Sequence, residues 1–161
     1  MLKRYVIGLV LACISTIVHA DSGCHSVKKV SLPGQAVIVV VSNGELEVCS
    51  AGSYVVRSYS TQDALPGDDT TFYISGVVHA RNGMLEDVFI ADLGTKVHNA
   101  VIVTNRSVGS GSYINAQAYL VDKQSVRLLA DTDDMAATTT TTQIISALTH
   151  KLQDITEGTS Q

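Results

Sequence analysis

Gly109-Ser110-Gly111-Ser112-Tyr113 is the stretch of this chain whose residue types could do chemistry. A serine between two glycines suggests a nucleophile, with Ser110 as the candidate. The nucleophile elbow, however, needs Gly-x-Ser-x-Gly on a strand-to-helix turn. Here position 108 is valine, and the flanking residues read as two strands. The other chemistry-bearing residues are scattered. His25, His79, His98 and His150 have no carboxylate at a telling spacing, and each reads as an ordinary surface histidine. Glycosidase chemistry needs two carboxylates flanking a cleft. Asp68 and Asp69 sit in a turn, and Glu86 and Asp87 point to opposite faces of a strand. Asp131-Thr132-Asp133-Asp134 has the oxygens for calcium but lacks the glycine and distal glutamate of an EF-hand loop, so it reads as a solvated linker. The residues therefore point away from an enzyme, and no metal or cofactor is implied.

A binding loop suits the same residues better. Ser107 to Ser112 is supple, small and rich in hydroxyls, and Tyr113 stands at its foot. Tyrosine offers large contact area at low entropy cost, while serine and glycine offer adaptable hydrogen bonding. On residue types alone, a plain hairpin loop with a packed tyrosine is the more economical reading.

The elements that must position this loop read as strands between turns. Gln35 to Val41 is a near-continuous Val/Ile run; Asn43-Gly44 and then Leu46 to Cys49 follow it. Asn-Gly between apolar runs predicts a type I′ hairpin, because both central residues must accept positive φ. The pattern recurs as Thr71 to Ala80, Asn82-Gly83, and Leu85 to Leu93. In the first of these strands a period of two places Phe72, Ile74, Val78 and Ala80 on one face, with Tyr73, Ser75 and His79 on the other. Gly52 to Ser60 is a further strand, ended by the turn residues Leu65 to Asp69. Asn99 to Arg106 and Tyr113 to Val121 flank the loop. In the second of these, Ile114, Ala116, Ala118 and Leu120 form an apolar face; Tyr113, Asn115, Gln117 and Tyr119 form a polar one. A last short strand falls near Ser125 to Ala130. The threonine run Thr138 to Thr142 reads as linker, and Gln143 to Ile155 carries apolar residues at helical spacing. The fold class is all-β, an antiparallel β-sandwich or barrel with a short C-terminal helix.

The N-terminus bears on compartment. Lys3 and Arg4 precede an apolar run from Tyr5 to Val18, and Val18-His19-Ala20 offers a cleavage site. Residues 1–20 read as a secretory signal peptide, 21–134 as the sandwich domain, and 135–161 as linker and helix. Leu11-Ala12-Cys13 loosely resembles a lipoprotein box, but an apolar run rather than a polar tether follows it. No second stretch of spanning length follows, so no membrane association is expected after cleavage. Loss of Lys3 and Arg4 leaves the chain more acidic than its formal charge of −4. No basic patch for nucleic acid is visible, whereas an acidic surface suits a basic protein partner. Cys24 and Cys49 remain, an even pair in an oxidising compartment, and a disulfide between them is expected. Such a bridge contributes about 3 kcal/mol by restricting the unfolded chain. Zinc is the rival reading, without CxxC or HxxxH spacing to support it.

Three blocks carry a resemblance. They are Gly52-Ser53-Tyr54-Val55-Val56-Arg57-Ser58-Tyr59-Ser60, then Gly67 to Gly76 (GDDTTFYISG), then Arg106-Ser107-Val108-Gly109-Ser110-Gly111-Ser112-Tyr113. In this order they resemble the periplasmic inhibitors of I-type (invertebrate-type) lysozyme, over about Lys28 to Leu129. The resemblance implies a periplasmic, non-enzymatic homodimer of β-sandwich subunits whose partner is I-type lysozyme. It also implies a Ser-Gly-x-Tyr motif on a protruding loop that enters the lysozyme's active-site cleft. That motif falls on Ser110, Gly111, Ser112 and Tyr113, with Gly109 beside it and Ser110 and Tyr113 as the contact residues. It assigns no role to the threonine run and helix after Met135, and Asp92 to Asn99 departs from the pattern. Inhibition of another lysozyme class, such as the C-type, and an envelope serine hydrolase using Ser110 are the alternatives.

Exported protein is expected to begin at Asp21 with one Cys24–Cys49 bridge. Intact mass before and after reduction checks this; a lipid on Cys13, or two free thiols, would overturn it.

Overall fold

The computed structural model describes residues 25–44, 47–62, 71–94, 97–109 and 111–158, with side chains to 155. The leader, Cys13, Cys24, Leu46, the turn Leu65 to Asp69 and Ser110 lie outside the described residues. Eight strands and one helix follow in order: β1 (Val27–Ser31), β2 (Val37–Asn43), β3 (Ala51–Ser60), β4 (Phe72–Asn82), β5 (Met84–Ala91), β6 (Ala100–Arg106), β7 (Ile114–Val121), β8 (Val126–Asp131) and α1 (Thr141–Gly158). They form two four-stranded antiparallel sheets, β1-β2-β3-β4 and β5-β6-β7-β8. The fold is a sandwich of two separate sheets rather than a closed barrel.

Alternating valines explain the space between the sheets. Val37, Val39 and Val41 of β2 meet Val101 and Val103 of β6, with Tyr54, Val56, Leu85, Val88, Tyr119 and Val121 around them. A second core lies on the far side of the second sheet. There Ala100, Ile102, Ile114, Ala116, Ala118 and Ala130 receive Ile144 and Leu148 of α1. The alanines are small enough to bring the helix close. The layers are therefore sheet, sheet and helix. The helix starts by a capping box. The Gln143 N–H donates to Thr140 Oγ1 at 3.4 Å, and the Thr140 N–H donates to Gln143 Oε1 at 2.8 Å. The threonine run is thus a helix start rather than a linker, and the acidic stretch before it is structured too. Thr132 is buried, and its Oγ1 accepts the Ala116 N–H at 2.9 Å.

Several expectations about faces and turns need correction. Neither Asn43 nor Gly44 has positive φ, and β2 pairs with β3 through Asn43 and Tyr54, so no type I′ turn joins them. A wider loop forms because Glu47 reaches in. Its carboxylate accepts the N–H of Ser53 and, at 2.7 Å, the Ser53 hydroxyl. These bonds hold the Glu47 carboxyl below the usual carboxylate range. Gly52, at φ 148°, leaves the space that the carboxylate occupies. Asn82-Gly83 is likewise no hairpin turn: β4 and β5 belong to different sheets, and Gly83 carries the chain across. Its φ is 118°, and a side chain there would strike the backbone of Arg106 and Ser107.

The face of β4 is also reversed. Val78 is exposed, Val77 packs on the inter-sheet core, and Arg81 is buried. A register shift between Ser58 and Tyr59 passes over Ile74, and the alternation changes phase beyond it. In β7 the polar face turns inward: Gln117 and Tyr119 are buried between the sheets, while Ile114, Ala116 and Ala118 lie under the helix. β1 was not anticipated from sequence at all.

Because α1 closes a core, Leu148→Ala is expected to cost about 2–5 kcal/mol, whereas Ile155→Ala, at an exposed position, should cost little. Denaturant unfolding of both variants tests this, and equal midpoints would mean the helix is not a structural layer.

Candidate functional site

The candidate site is the connection between β6 and β7. Inward-facing Asn105 of β6 and Asn115 and Gln117 of β7 make the end of the inter-sheet space polar. Asn105 Nδ2 donates to Gln117 Oε1 at 3.0 Å, and the Tyr54 hydroxyl donates to the same oxygen at 3.0 Å. Gln117 Nε2 donates to Asn115 Oδ1 at 3.2 Å. The Tyr54 and Tyr119 hydroxyls lie 2.6 Å apart. Burial raises both phenols, Tyr119 to about 12, so both keep their protons near neutral pH. These bonds link the side chains of the two strands below the loop, although Asn105 Oδ1 is buried without a partner among the described residues.

The loop is closed twice at its foot. The Ser107 N–H donates to the Tyr113 carbonyl at 2.8 Å, and the Tyr113 N–H donates to Ser107 Oγ at 2.8 Å. Ser112, at φ 41°, turns the chain, and its N–H donates to the Gly109 carbonyl at 3.4 Å. Tyr113 is 47 % exposed and Val108 46 % exposed. The Tyr113 ring lies over Gly111, where a methyl group would strike it. Gly109 has open space where a side chain would go. The structure therefore brings Gly109, Gly111, Ser112 and Tyr113 together on one exposed loop; Ser110 lies outside the described residues. Sequence reasoning missed Ser107 as the residue that fastens Tyr113. Its signal was a serine immediately after the last strand position, a common place for a side chain to satisfy loop backbone.

The neighbouring loop supports this end of the sandwich. Arg81 is 4 % exposed. It donates to the carbonyls of Cys49 at 2.7 Å, Val48 at 3.2 Å, Ala51 and Ser53 at 3.4 Å, and Gly83. Glu47 lies 3.7 Å away. The buried charge is thus paired and hydrogen-bonded, as it must be to persist there. It holds Gly83 against Ser107, next to the loop's foot. Cys49 lies in this same loop.

Among known proteins, residues 24–152 match the family model for the periplasmic lysozyme inhibitor of I-type lysozyme. The chain is similar to the crystal structure of that inhibitor from Aeromonas hydrophila, with a TM-score of 0.65 and 31 % identity over 76 % of this chain and 98 % of that one. It is similar also to the Aeromonas hydrophila inhibitor in complex with Meretrix lusoria lysozyme, with a TM-score of 0.65 and 30 % identity over 75 % of this chain and 95 % of that one. No curated protein matches the chain. With its sandwich, its exposed β6–β7 loop and a family match across most of its length, the chain belongs to the periplasmic lysozyme inhibitors of I-type lysozyme.

Proposed function

We propose that this protein inhibits I-type lysozyme by placing the Gly109–Tyr113 loop in the enzyme's active-site cleft. The observation that carries the reading is Tyr113, exposed beside the loop, its ring backed by Gly111 and its backbone tied to Ser107. The related Aeromonas hydrophila inhibitor forms a complex with Meretrix lusoria lysozyme, which supports the same class of partner. A lysozyme cleft holds a protonated carboxylic acid and an ionised carboxylate. The hydroxyls of Ser110 and Tyr113 donate to such acceptors, and hydrogen bonds to an ionised group are the stronger kind. Gly109 brings no side chain to clash in a cleft shaped for sugar. The loop offers no glycosidic bond, so it occupies the cleft without being cleaved.

Ser110→Ala and Tyr113→Phe each remove one hydroxyl and leave an acceptor in the closed cleft unpaired. Each is expected to weaken inhibition by about 1–3 kcal/mol, roughly tenfold to a hundredfold. Tyr113→Ala costs more, because the ring's contact area is lost; Ser112→Ala, at the motif's variable position, changes little. Inhibition constants against I-type, C-type and goose-type lysozymes, measured beside melting temperatures, decide the matter. Unchanged inhibition by Ser110→Ala and Tyr113→Phe would remove the loop from the mechanism. Loss that tracks melting would make Tyr113 structural.

The reading includes a homodimer and a cleaved leader. The outer face of the first sheet leaves Val27, Tyr73 and Val78 exposed, whereas α1 covers the outer face of the second sheet. Association through the uncovered face would bury an apolar patch and leave both β6–β7 loops free. Light scattering is expected to show a dimer alone and two lysozymes per dimer at saturation. A monomer, or one lysozyme per dimer, counts against it. The Cys24–Cys49 pairing belongs to the same proposal, since Cys24 lies outside the described residues.

A further inference from the structure

The segment between β8 and α1 runs along the foot of the β6–β7 loop and touches both of its ends. At the β7 end, Ile114 and Met135 exchange backbone hydrogen bonds: the Ile114 N–H donates to the Met135 carbonyl at 2.9 Å, and the Met135 N–H donates to the Ile114 carbonyl at 2.8 Å. Asn115 Nδ2 donates to Asp134 Oδ1 at 3.5 Å beside them. At the β6 end, Arg106 Nη1 donates to the Ala137 carbonyl at 3.4 Å. The same guanidinium grips Glu86 of β5, with Nε at 3.0 Å and Nη2 at 2.6 Å from Glu86 Oε1. The segment is itself anchored. Thr132 is bonded to Ala116 upstream, Lys151 reaches back from the helix to Asp133 at 3.1 Å, and α1 is held by Ile144 and Leu148 downstream.

Between the segment and the β5–β6 edge the structure is not packed solid. An open cavity of about 310 Å³ lies there, bordered by Glu86, Arg106, Thr139 and Thr141. Side-chain packing therefore does not join the segment to the β6 end of the loop; Arg106 does so across the mouth of the cavity. Arg106 ties the segment to the β6 end of the loop, and Met135, with Asp134 beside it, ties it to the β7 end.

We infer that the Thr132–Thr141 segment is a brace that pre-organises the inhibitory loop, with Arg106 and Met135 as its positioning residues. This rests on the proposed insertion of the loop into lysozyme. A loop that must be ordered on binding has a lower apparent affinity in proportion to the fraction already competent. The brace raises that fraction before the partner arrives. Its loss therefore slows association, whereas loss of a hydroxyl that touches lysozyme speeds dissociation. The brace also gives a role to the part of the chain that follows the sandwich.

The experiment measures association and dissociation rates with I-type lysozyme for full-length Arg106→Gln, Arg106→Lys, Met135→Pro and Tyr113→Phe, beside their melting temperatures. Arg106→Gln breaks the tie to Ala137 and weakens the one to Glu86. Met135→Pro removes the N–H given to Ile114. Arg106→Gln is expected to lower the association rate about fivefold with little change in melting, as befits a half-exposed ion pair. Met135→Pro lowers it about tenfold. Arg106→Lys, which keeps the charge for Glu86 but not the fork, falls between Arg106→Gln and the parent. Tyr113→Phe changes chiefly the dissociation rate. Should Met135→Pro fail to fold, the two Arg106 variants carry the test alone. Unchanged association rates in the Arg106 variants, with Tyr113→Phe still impaired, would overturn the brace and leave loop insertion standing. Full inhibition by Tyr113→Phe and Ser110→Ala would overturn loop insertion itself. Slow association accompanied by a large fall in melting temperature would reduce Arg106 to a structural residue and overturn the brace as well.

Discussion

The β6–β7 hairpin is buried on both faces, and the rest of the structure depends on that burial. On one side it meets the valines of β2 and the tyrosine of β3; on the other it lies under Ile144 and Leu148 of the helix. A two-stranded ribbon alone is marginally stable in water. Covered on both sides and flanked by β5 and β8, these two strands have neighbours on every side. The loop that joins them is consequently a mobile type of sequence on a rigid mount, the arrangement that lets a Gly/Ser loop bind without a large ordering cost.

The covering helix also explains the composition of β7. A strand under a helix and over a second sheet needs side chains that suit both neighbours. Alanine at 116 and 118 gives the helix its close approach. Asn115 and Gln117, facing the first sheet, are satisfied by Asn105, Tyr54 and each other. The polar groups sit at the loop end of the sandwich. Farther along, Tyr119 and Val121 return to apolar contact.

This double burial is also where the sequence was hardest to read. The alternation in Tyr113 to Val121 was visible, and so were both strands, the loop between them and the helix. Which face was inside was not visible, because alternation reports a difference between two faces and not what covers them. The polar face pointed inward because its partners, Tyr54 and Asn105, lie far away in sequence. The Asn-Gly pairs misled for a related reason. At Asn43-Gly44 the distant Arg81 and the carboxylate of Glu47 hold a wider loop open, and at Asn82-Gly83 the chain leaves its sheet. β4 changed phase at a bulge that no local residue announced. Of the loop residues, Gly109, Ser112 and Tyr113 were legible as a small, hydroxyl-rich hairpin loop with a tyrosine at its foot; residue types alone favoured a plain hairpin, and the family resemblance gave the expectation of a binding tip. The seat of the Tyr113 ring on Gly111 and the tie of its backbone to Ser107 depend on loop geometry that residue types do not encode.

Polar residues beneath the β6–β7 loop bear on register, and register bears on where the tyrosine stands. β6 and β7 pair with Arg106 opposite Ile114 and Asn105 opposite Asn115. A slip of one residue would turn Asn105 or Gln117 toward the apolar underside of α1 and bring Ile102 or Ala116 into the inter-sheet layer. Each displaced amide would be buried without its partner, at a cost of about 1–3 kcal/mol. An all-valine hairpin would carry no such penalty and could slide. The amides therefore fix the number of residues that span Arg106 to Ile114. A fixed span places Tyr113 at the foot of the loop with its N–H on Ser107 and its ring over Gly111. Polar groups in the core and hydroxyls on the loop are in this sense one design: the first set the register that gives the second a definite position.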